Sequence, residues 1–467
     1  MKIESLLKDE LFNKIKDIAK TENEQVYLIG GYVRDIILNR SLKNDIDVMV
    51  VGNGTSFASK VAESLGVDHV DLFKTFGTAH FTYKGLNLEF VGARKESYDF
   101  LSRKPVVENG TFIDDIMRRD FTINTLAISL NSDDFCELID TLGGIDDINN
   151  KIIKTPLNPE ETFSDDPLRI LRAFRFASQL NFSVEKNILD AAELMAERLK
   201  IVSQERITDE FLKIINSPFP SIGLIHLYQT GVMKVIFPEV HLLGGVEQRK
   251  DFHHKDVFYH TCMVIDNISK VTENTWLRIA ALLHDIAKPA TKKFYEGIGW
   301  TFHGHEEIGA RMVKGIFKRM RFPFNQIDYV TKLVRLHLRP MALVDESVTD
   351  SAIRRLIVHA GEDLDDLITL CRADITSHNQ EKVDKYLENY EIVVGKIKEV
   401  EEKDKLRLFK CPVDGKTIMQ VCNLKPSKIV GEIKDAIEDA ILEGKISNDF
   451  DAAYDYLLSI KDNYIKL

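Results

Sequence analysis

Alternation of apolar and polar residues divides the chain into a mixed first part and a helical remainder. Short strand-like runs rich in apolar residues predict strands at Val26–Ile29, Ile46–Val51, His80–Tyr83 and Leu86–Val91. After Pro167 the pattern is almost wholly helical, and Asp165 and Asp166 supply capping carboxylates ahead of this proline. The pattern therefore predicts an α+β fold, with a small N-terminal mixed β-sheet head followed by mostly α-helical domains.

Changes in composition along the helical part predict further boundaries. The pair Gly244-Gly245 is followed by His253 and His254, and a long amphipathic helix around Ile429–Leu442 marks the tail. We expect four parts, which are a head at 1–150, a helical neck at 151–243, a third domain at 244–395 and a helical tail at 396–467.

The overall composition restricts the class of protein. A chain of 467 residues is long enough for several cores. Its net charge of −11 counts against a nucleic-acid partner, but a local basic row such as Arg169, Arg172 and Arg175 can override the global charge. No apolar run approaches the ~20 residues that cross a bilayer, and no secretory signal is visible, so we expect no membrane and a cytoplasmic location.

The cysteines give no sign of a metal site. They are odd in number, scattered and without a CxxC pair, at Cys136, Cys262, Cys371, Cys411 and Cys422. This spacing predicts reduced thiols and argues against structural zinc.

Two carboxylates at the start of a predicted strand form the most informative pattern. Asp45 and Asp47 alternate with Ile46 and Val48, so both carboxylates lie on one face of the strand. Carboxylates at a strand end can hold Mg²⁺, which prefers oxygen ligands and keeps open positions for substrate phosphates. Taken alone, such a DxD can equally be an ordinary strand-end charge pair.

Residues before and after this pair extend the pattern. Gly30-Gly31 lets the backbone approach a triphosphate, and Arg34 adds a cation. A third carboxylate is commonly supplied by a neighbouring strand, and Glu89 in the run Leu86–Val91 has the right alternation, although it can also be a solvent-facing residue. The combination predicts nucleotidyl transfer, with Asp45, Asp47 and Glu89 as catalytic residues.

Five motifs occur in order along the first half of the chain. They are Gly30–Asp35 with Asp45–Asp47; Arg118–Asn124, which reads RRDFTIN; Asp140–Asp147; Asp165–Arg169; and Glu205–Ile207 with Glu210. The set resembles the class II nucleotidyltransferases, which comprise bacterial CCA-adding enzymes and poly(A) polymerases. One departure is Asp165, which stands where that family has Glu. The resemblance implies Mg²⁺ in the head and nucleotide binding by Gly30, Gly31, Arg34, Arg118, Arg119, Asp120, Asn124, Asp166, Arg169 and Arg172.

Selection of the nucleotide without a nucleic-acid template is expected from Asp166 and Arg169. At spacing i and i+3 they share one helix face, so a carboxylate acceptor and a guanidinium donor can meet one base edge. Cytosine and adenine offer an amino donor beside a ring-nitrogen acceptor, whereas uracil and guanine would oppose two acceptors at a cost of ~1–3 kcal/mol. The alternative is that Asp166 only caps the helix and Arg169 only pairs with a neighbouring acid.

A second set of residues occurs in the third domain. It consists of His260, His284, Asp285, His305, His337 and Asp374. The set resembles the HD phosphohydrolase superfamily. We expect His260, His284, Asp285 and Asp374 to hold a divalent transition metal such as Mn²⁺, Ni²⁺ or Co²⁺, and His305 and His337 to complete a second metal position or bind phosphate. The alternative is a domain that serves only as a scaffold.

The main hypothesis is a CCA-adding tRNA nucleotidyltransferase with tRNA, CTP and ATP as partners, no DNA, and an additional HD hydrolase activity. Alternatives are a poly(A) polymerase, an enzyme that adds only CC or only A, and an HD hydrolase with a non-catalytic RNA-binding head. The segment Lys74–His80 resembles the Phe-Gly-Thr element of CCA enzymes and lacks the Arg-Arg-Phe of bacterial poly(A) polymerases. The choice between CC and A is expected to depend on a loop at Tyr98–Phe112.

Overall fold

The computed structural model describes residues 9–42, 44–73, 77–97, 106–246, 256–297, 299–343, 349–377, 379–404 and 410–465. The chain forms two compact units, Met1–His241 and Leu242–Leu467. The expected mixed N-terminal sheet and largely helical remainder are confirmed. The division into four domains stays a prediction. Lys74–Phe76, most of the loop at Tyr98–Phe112, and His253 and His254 lie outside the described residues.

The first unit is built on one large mixed sheet. Its strands are β1 (Gln25–Ile29), β2 (Asp45–Val51), β3 (Asp71–Phe73), β4 (Thr78–Tyr83), β5 (Leu86–Gly92), β6 (Arg94–Ser97), β7 (Val106–Asn109), β8 (Ala127–Ser129), β9 (Leu138–Ile139), β10 (Ile152–Ile153) and β11 (Ser183–Val184). Seven of them form a sheet in the order β3-β4-β5-β2-β1-β8-β9, in which only β2 and β5 are parallel neighbours. All four strands predicted from the sequence are confirmed.

Helices pack against the sheet, and helices also form the last part of the first unit. They are α1 (Glu10–Glu22), α2 (Gly31–Ile37), α3 (Gly54–Ser64), α4 (Phe112–Met117), α5 (Gly144–Asn149), α6 (Pro159–Asp165), α7 (Leu168–Leu180), α8 (Lys186–Met195), α9 (Gln204–Ile215), α10 (Pro220–Gln229), α11 (Val232–Ile236) and α12 (Pro238–His241). Pro167 caps α7, and Asn181 ends it in the left-handed conformation at φ +57°. The apolar face of α7 is buried against α9 and α10.

In its described residues the second unit is helical apart from one hairpin. Its elements are α13 (Val257–Ser269), α14 (Thr275–Leu283), α15 (Lys288–Thr291), the strands β12 (Lys293–Tyr295) and β13 (Gly299–Thr301), α16 (His305–Met320), α17 (Ile327–Leu336), α18 (Asp350–Ala360), α19 (Leu364–Ala373), α20 (Gln380–Asp404), α21 (Gly415–Cys422), α22 (Lys428–Leu442) and α23 (Phe450–Tyr464). The last three helices share a core that includes Ile418, Ile433 and Leu457. The helix predicted around Ile429–Leu442 is confirmed as α22. Among the helices in the described ranges, none is long and apolar enough to cross a membrane.

Candidate active site and candidate metal centre

Three carboxylates lie side by side on two parallel strands. Ile46 and Val48 of β2 are fully buried, which turns Asp45 and Asp47 to the opposite face of the sheet. The register pairs Asp47 with Glu89 of β5. The side chains of Asp45, Asp47 and Glu89 therefore share one face at neighbouring positions.

The electrostatics of these carboxylates favour a cation between them. Burial, together with the nearby charges of Glu89 and Asp45, raises the pKa of Asp47 to about 6, although Arg119 opposes the shift. Three carboxylates with oxygen donors on one face are the ligand type that Mg²⁺ binds. This donor set fits a divalent cation at Asp45, Asp47 and Glu89.

The glycine pair closes one side of the same face. Gly30 has φ +76°, and a Cβ atom at this position would lie 3.1 Å from Asp47 Oδ2 and 3.6 Å from Arg119 Nη1. A larger residue at position 30 would therefore press on the carboxylate as well as strain the turn.

Beside this turn lies a cleft of about 240 Å³. It is lined by seven of the residues that the sequence predicted for nucleotide binding, which are Gly30, Gly31, Arg34, Arg119, Asp120, Asn124 and Arg172, and by both Asp45 and Asp47. Sequence reasoning missed Tyr32, Phe176 and Gln179, which also line the cleft. For Phe176 a signal existed in its position directly after Arg175, whose guanidinium lies 4.3 Å from the ring centroid.

A buried hydrogen-bond chain fixes the polar wall of the cleft. Arg34 Nη1 donates to Asn124 Oδ1 at 2.8 Å, and Asn124 Nδ2 donates to Asp120 Oδ1 at 3.0 Å. Arg172 Nε donates to Asp120 Oδ2 at 2.8 Å. Burial alone would raise the pKa of Asp120, but Arg172 and Asn124 outweigh it and hold this pKa well below its usual range. Asp120 is therefore an ionised carboxylate between Asn124 and Arg172.

Arg118 and Arg169 do not line the cleft. Arg118 Nε donates to Asp115 Oδ1 at 3.1 Å, and Arg119 Nη2 donates to the other oxygen of this buried carboxylate at 2.9 Å. Arg169 donates from Nη2 to the carbonyl of Arg118 at 2.6 Å and from Nη1 to the carbonyl of Thr162 at 3.3 Å. Arg169 thus ties the RRD motif to α6.

The expectation that Asp166 and Arg169 share a helix face is wrong. Asp166 has an extended backbone, φ −140°, and lies outside α7, because it precedes Pro167, the N-cap residue of that helix. Asp166 Oδ1 accepts a hydrogen bond from the Leu168 amide at 3.1 Å, and Oδ2 accepts one from Arg206 Nη2 at 3.1 Å. The capping role named as the alternative for Asp166 is thus present in the structure.

Six residues of the second unit converge from the ends of helices. They are His260 on α13, His284 and Asp285 after α14, His305 at the start of α16, His337 after α17 and Asp374 after α19. His260 Nε2 lies 2.9 Å from Asp374 Oδ1, and His284 Nε2 lies 3.2 Å from Asp285 Oδ2. On the other oxygen of Asp285, His305 Nε2 lies at 3.2 Å and His337 Nε2 at 3.9 Å. Asp285 therefore stands between two groups of imidazoles.

Contacts on the outer ring atoms set the tautomers of these histidines. The Nδ1 atoms of His284, His305 and His337 lie 2.7 to 2.8 Å from backbone carbonyl oxygens. Because a carbonyl only accepts, each Nδ1 carries the proton and each Nε2 is turned toward Asp285. Metal-binding histidines in proteins commonly have this outer contact.

His284 Nε2 and Asp285 Oδ2 are both buried and lie 3.2 Å apart, and Lys288 Nζ lies 2.6 Å from the same carboxylate oxygen. Burial lowers the pKa of His284, but Asp285 and Asp374 outweigh it and raise this pKa to about 10. A cation between these carboxylates is therefore favoured, and a divalent metal ion can take that role. The donor set of imidazole nitrogens and carboxylate oxygens fits such an ion at His260, His284, Asp285 and Asp374.

Three known protein families match consecutive stretches of the chain. The family described as "Poly A polymerase head domain" matches residues 26–154, and "Probable RNA and SrmB- binding site of polymerase A" matches residues 181–243. The HD domain matches residues 257–379. The first match includes the three carboxylates, and the third includes all six residues of the second unit's centre.

Curated relatives match over most of the chain. The chain is 30% identical over 369 residues to the A-adding tRNA nucleotidyltransferase of Deinococcus radiodurans. This aligned region covers 76% of this chain and 80% of that protein. The chain is 33% identical over 310 residues to the multifunctional CCA protein of Shewanella frigidimarina, covering 64% and 70%. An A-adding tRNA nucleotidyltransferase of Aquifex aeolicus is 41% identical over 202 residues, covering 41% of this chain and 24% of that protein.

Solved structures of CCA-adding enzymes share the fold. A CCA-adding enzyme in its apo form II superposes with a TM-score of 0.63 at 23% identity, covering 98% of this chain and 99% of that one. The Thermotoga maritima CCA-adding enzyme complexed with tRNA has a TM-score of 0.59 at 22% identity, with coverage of 98% and 99%.

Proposed function

The chain belongs to the tRNA nucleotidyltransferase family of A-adding and CCA-adding enzymes, and on this basis we propose that it is a CCA-adding enzyme. It transfers CMP and AMP from CTP and ATP to the 3′ end of an immature tRNA. The observation that carries the proposal is the row of Asp45, Asp47 and Glu89 beside a cleft lined by guanidinium groups.

The transfer exchanges one bond to phosphorus for another. The 3′-hydroxyl oxygen of the tRNA forms a bond to the α-phosphorus of the nucleotide, the bond from this phosphorus to the oxygen that bridges to the β-phosphate breaks, and pyrophosphate leaves. The proton of the hydroxyl passes to water. Mg²⁺ held by Asp45, Asp47 and Glu89 would lower the pKa of the attacking hydroxyl and neutralise the leaving pyrophosphate.

The remaining groups of the cleft bind and orient the triphosphate. The turn at Gly30-Gly31 allows close approach of the phosphates, since neither glycine has a side chain of its own. Arg34 and Arg119 supply guanidinium donors there, and Asp120 with Asn124 holds Arg34 and Arg172 in place.

We assign the choice of the base to the segment that contains Asp166 and Arg169, although these two residues do not share a helix face. Asp166 Oδ2 is held by Arg206, whose side chain is 42% exposed, and Arg169 Nη1 makes a long contact of 3.3 Å. The Asp166–Arg206 ion pair can be exchanged for a base edge at low cost, because an exposed ion pair contributes little. Arg169, whose side chain is 11% exposed, can offer Nη1 to the base while Nη2 keeps its bond to the carbonyl of Arg118. An acceptor and a donor would then face the amino group and ring nitrogen of cytosine or adenine.

The proposal is tested by incubation of the purified protein with Mg²⁺ and a tRNA that ends at the discriminator nucleotide. CTP alone should add two nucleotides, ATP alone none, and both together three, as read by sequencing of the 3′ ends. Long adenosine tracts would instead identify a poly(A) polymerase.

A second candidate is an A-adding enzyme, which the names of two relatives favour. The same assay with a tRNA that already ends in CC distinguishes an A-adding enzyme from a CCA-adding enzyme. An A-adding enzyme extends this tRNA with ATP and leaves the tRNA without CC unchanged under CTP.

For the second unit we propose a metal-dependent phosphohydrolase. Its support is the centre around Asp285, with imidazoles on both carboxylate oxygens. A divalent transition metal such as Mn²⁺, Ni²⁺ or Co²⁺ would polarise a phosphoester and activate water. Substrates of the proposed class are 2′,3′-cyclic phosphates and nucleoside monophosphates.

A further inference from the structure

The end of α19 connects several parts of the centre in the second unit. Cys371 Sγ donates to the carbonyl oxygen of His337 at 3.0 Å, which ties α19 to the residue that follows α17. Asn267 Nδ2 of α13 donates to the carbonyl oxygen of Ala373 at 3.1 Å. Asp374 follows directly, so this carboxylate stands on a segment that is fixed to two other helical elements.

The same segment reaches the outer nitrogen of one histidine. Thr376 Oγ1 lies 2.8 Å from His260 Nδ1, although 116 positions separate the two residues in the chain. Both side chains are buried. On the inner side of the same ring, His260 Nε2 lies 2.9 Å from Asp374 Oδ1. The imidazole of His260 therefore lies between the hydroxyl of Thr376 and the carboxylate of Asp374.

His260 differs from the other three histidines of the centre in how its outer nitrogen is held. The Nδ1 atoms of His284, His305 and His337 each contact the backbone carbonyl oxygen of the residue three positions earlier in the chain. Such a carbonyl belongs to the local turn and is present whatever the side chains are. The orientation of His260, in contrast, depends on a side chain from another element of the fold.

The inner atoms of the centre have the spacing of ligands around one ion. Asp374 Oδ1 lies 2.9 Å from His260 Nε2 and 3.4 Å from His284 Nε2, and His260 Nε2 lies 3.6 Å from Asp285 Oδ2. Two ligand atoms that are each about 2.1 Å from one metal ion lie about 3.0 to 3.4 Å apart at octahedral or tetrahedral angles. The Nε2 atom of His260 can therefore bind the ion from its present place, provided that this atom carries no proton.

We propose that Thr376 is a positioning residue of the metal centre, whose hydroxyl accepts the Nδ1 proton of His260 and so leaves Nε2 free to bind the ion. The inference rests on the proposed metal-dependent phosphohydrolase. Without the hydroxyl, Nδ1 would be buried without this partner, and the ring proton would be favoured on Nε2, where Asp374 Oδ1 accepts it. In that tautomer His260 has no lone pair directed at the metal position.

The test measures the affinity of the full chain for Mn²⁺, Ni²⁺ and Co²⁺ by competition with a chelating indicator. Excess Mg²⁺ is present to occupy the oxygen ligands of the head. Thr376→Val keeps the shape of the side chain and removes the hydroxyl, so it should weaken metal binding about 10- to 100-fold. Thr376→Ser restores the hydroxyl and should restore the affinity. The visible spectrum of bound Co²⁺ should change in Thr376→Val, because the nitrogen of His260 is lost as a ligand, and should stay unchanged in Thr376→Ser.

Thr261→Val is the matched control for loss of a buried hydroxyl. Thr261 is the neighbour of His260 on α13, and its Oγ1 donates to the carbonyl oxygen of Val257 at 2.9 Å. This variant should keep the metal affinity and the Co²⁺ spectrum of the original protein. The double variant His284→Ala/Asp285→Ala gives the signal of ions bound outside the centre. Thermal unfolding in the presence of a chelator shows whether each variant folds without metal.

Three results would overturn the inference and leave the proposed hydrolase standing. Thr376→Val could bind the ions as tightly as the original protein, in which case the hydroxyl does not position His260. Thr376→Ser could be as weak as Thr376→Val, or Thr261→Val could be equally weak, and the loss would then come from packing. Absence of bound metal in the original protein with all three ions would overturn the proposed hydrolase and the inference together.

Discussion

Arg34 donates a hydrogen bond from Nη1 to Asn124 Oδ1 across 2.8 Å, which connects two motifs that are 90 residues apart. The same amide donates to Asp120, so one side chain positions a cation and an anion of the cleft. Because all three side chains are buried, water cannot replace these hydrogen bonds without a loss of folding stability.

We predict that Asn124→Ala destabilises the protein by about 1–3 kcal/mol and also raises KM for the nucleotide, because Arg34 and Asp120 each lose a buried partner. Urea unfolding and steady-state kinetics measure the two effects. Asn131→Ala is the control, since Asn131 Oδ1 accepts from the Val26 amide at 2.8 Å away from the cleft. Asn131→Ala should lower stability and leave KM for the nucleotide unchanged. An equal KM in both variants would contradict the role of Asn124 in nucleotide binding.

Gly30→Ala should reduce nucleotide addition more than it reduces stability. The residue has φ +76°, and its new Cβ would lie 3.1 Å from Asp47 Oδ2. Backbone strain costs about 1–3 kcal/mol, and displacement of the carboxylate adds a loss of kcat. Gly66→Ala separates the two effects, because Gly66 also has positive φ, +69°, but nothing lies within 4 Å of its Cβ position. Comparable kcat in the two variants would show that contact with Asp47 is irrelevant.

Short apolar runs were enough to predict the strands, and alternation within one of them was enough to predict the shared face of Asp45 and Asp47. The row of paired residues that continues from Glu89 through His80 to Asp71 was not predictable in this way, since it depends on the strand order β3-β4-β5-β2, which alternation does not specify. In the second unit the motif resemblance identified residues whose convergence from separate helix ends no periodicity implies.

The helical row of Arg169, Arg172 and Arg175 shows a further limit of the sequence. Its spacing fits an exposed basic face, yet these guanidiniums contact backbone carbonyls, Asp120 and Glu210 within the first unit. Partners so distant in the chain are set by tertiary packing. The misplacement of Asp166 has a local cause, because the residue before a proline is excluded from the helix.

Arg169→Ala should relax nucleotide choice, since the proposed partner of the guanidinium is the incoming base. Incorporation of UTP and GTP relative to CTP and ATP should rise about tenfold, and binding of tRNA should change less. Arg198→Ala is a matched control, because Arg198 also donates to a carbonyl of α6, that of Ser164 at 2.9 Å. Unchanged misincorporation together with a collapse of tRNA affinity would make Arg169 a contact to the tRNA backbone instead.

Replacement of His284 and Asp285 together by alanine should abolish hydrolysis of a cyclic phosphate or nucleotide and leave nucleotide addition intact. The metal content of the original protein after incubation with Mn²⁺, Ni²⁺ or Co²⁺, measured by mass spectrometry, should be lost in the double variant. His303→Ala, which removes an exposed histidine near the centre, should retain both metal and hydrolysis. Absence of bound metal in the original protein with all three ions would reduce the second unit to a scaffold.

The most direct measurement is nucleotide addition to tRNA by Asp47→Asn, with the exposed Asp68→Asn as the control for loss of one charge. Asp47 lies between Asp45, Glu89 and the turn at Gly30, so Asn at this position removes the proposed carboxylate ligand of the metal with little change of volume. Single-turnover kinetics should show a decrease of about a thousandfold or more for Asp47→Asn, at unchanged thermal stability, and no decrease for Asp68→Asn. Addition by Asp47→Asn at the rate of the original protein would contradict catalysis by the carboxylate row.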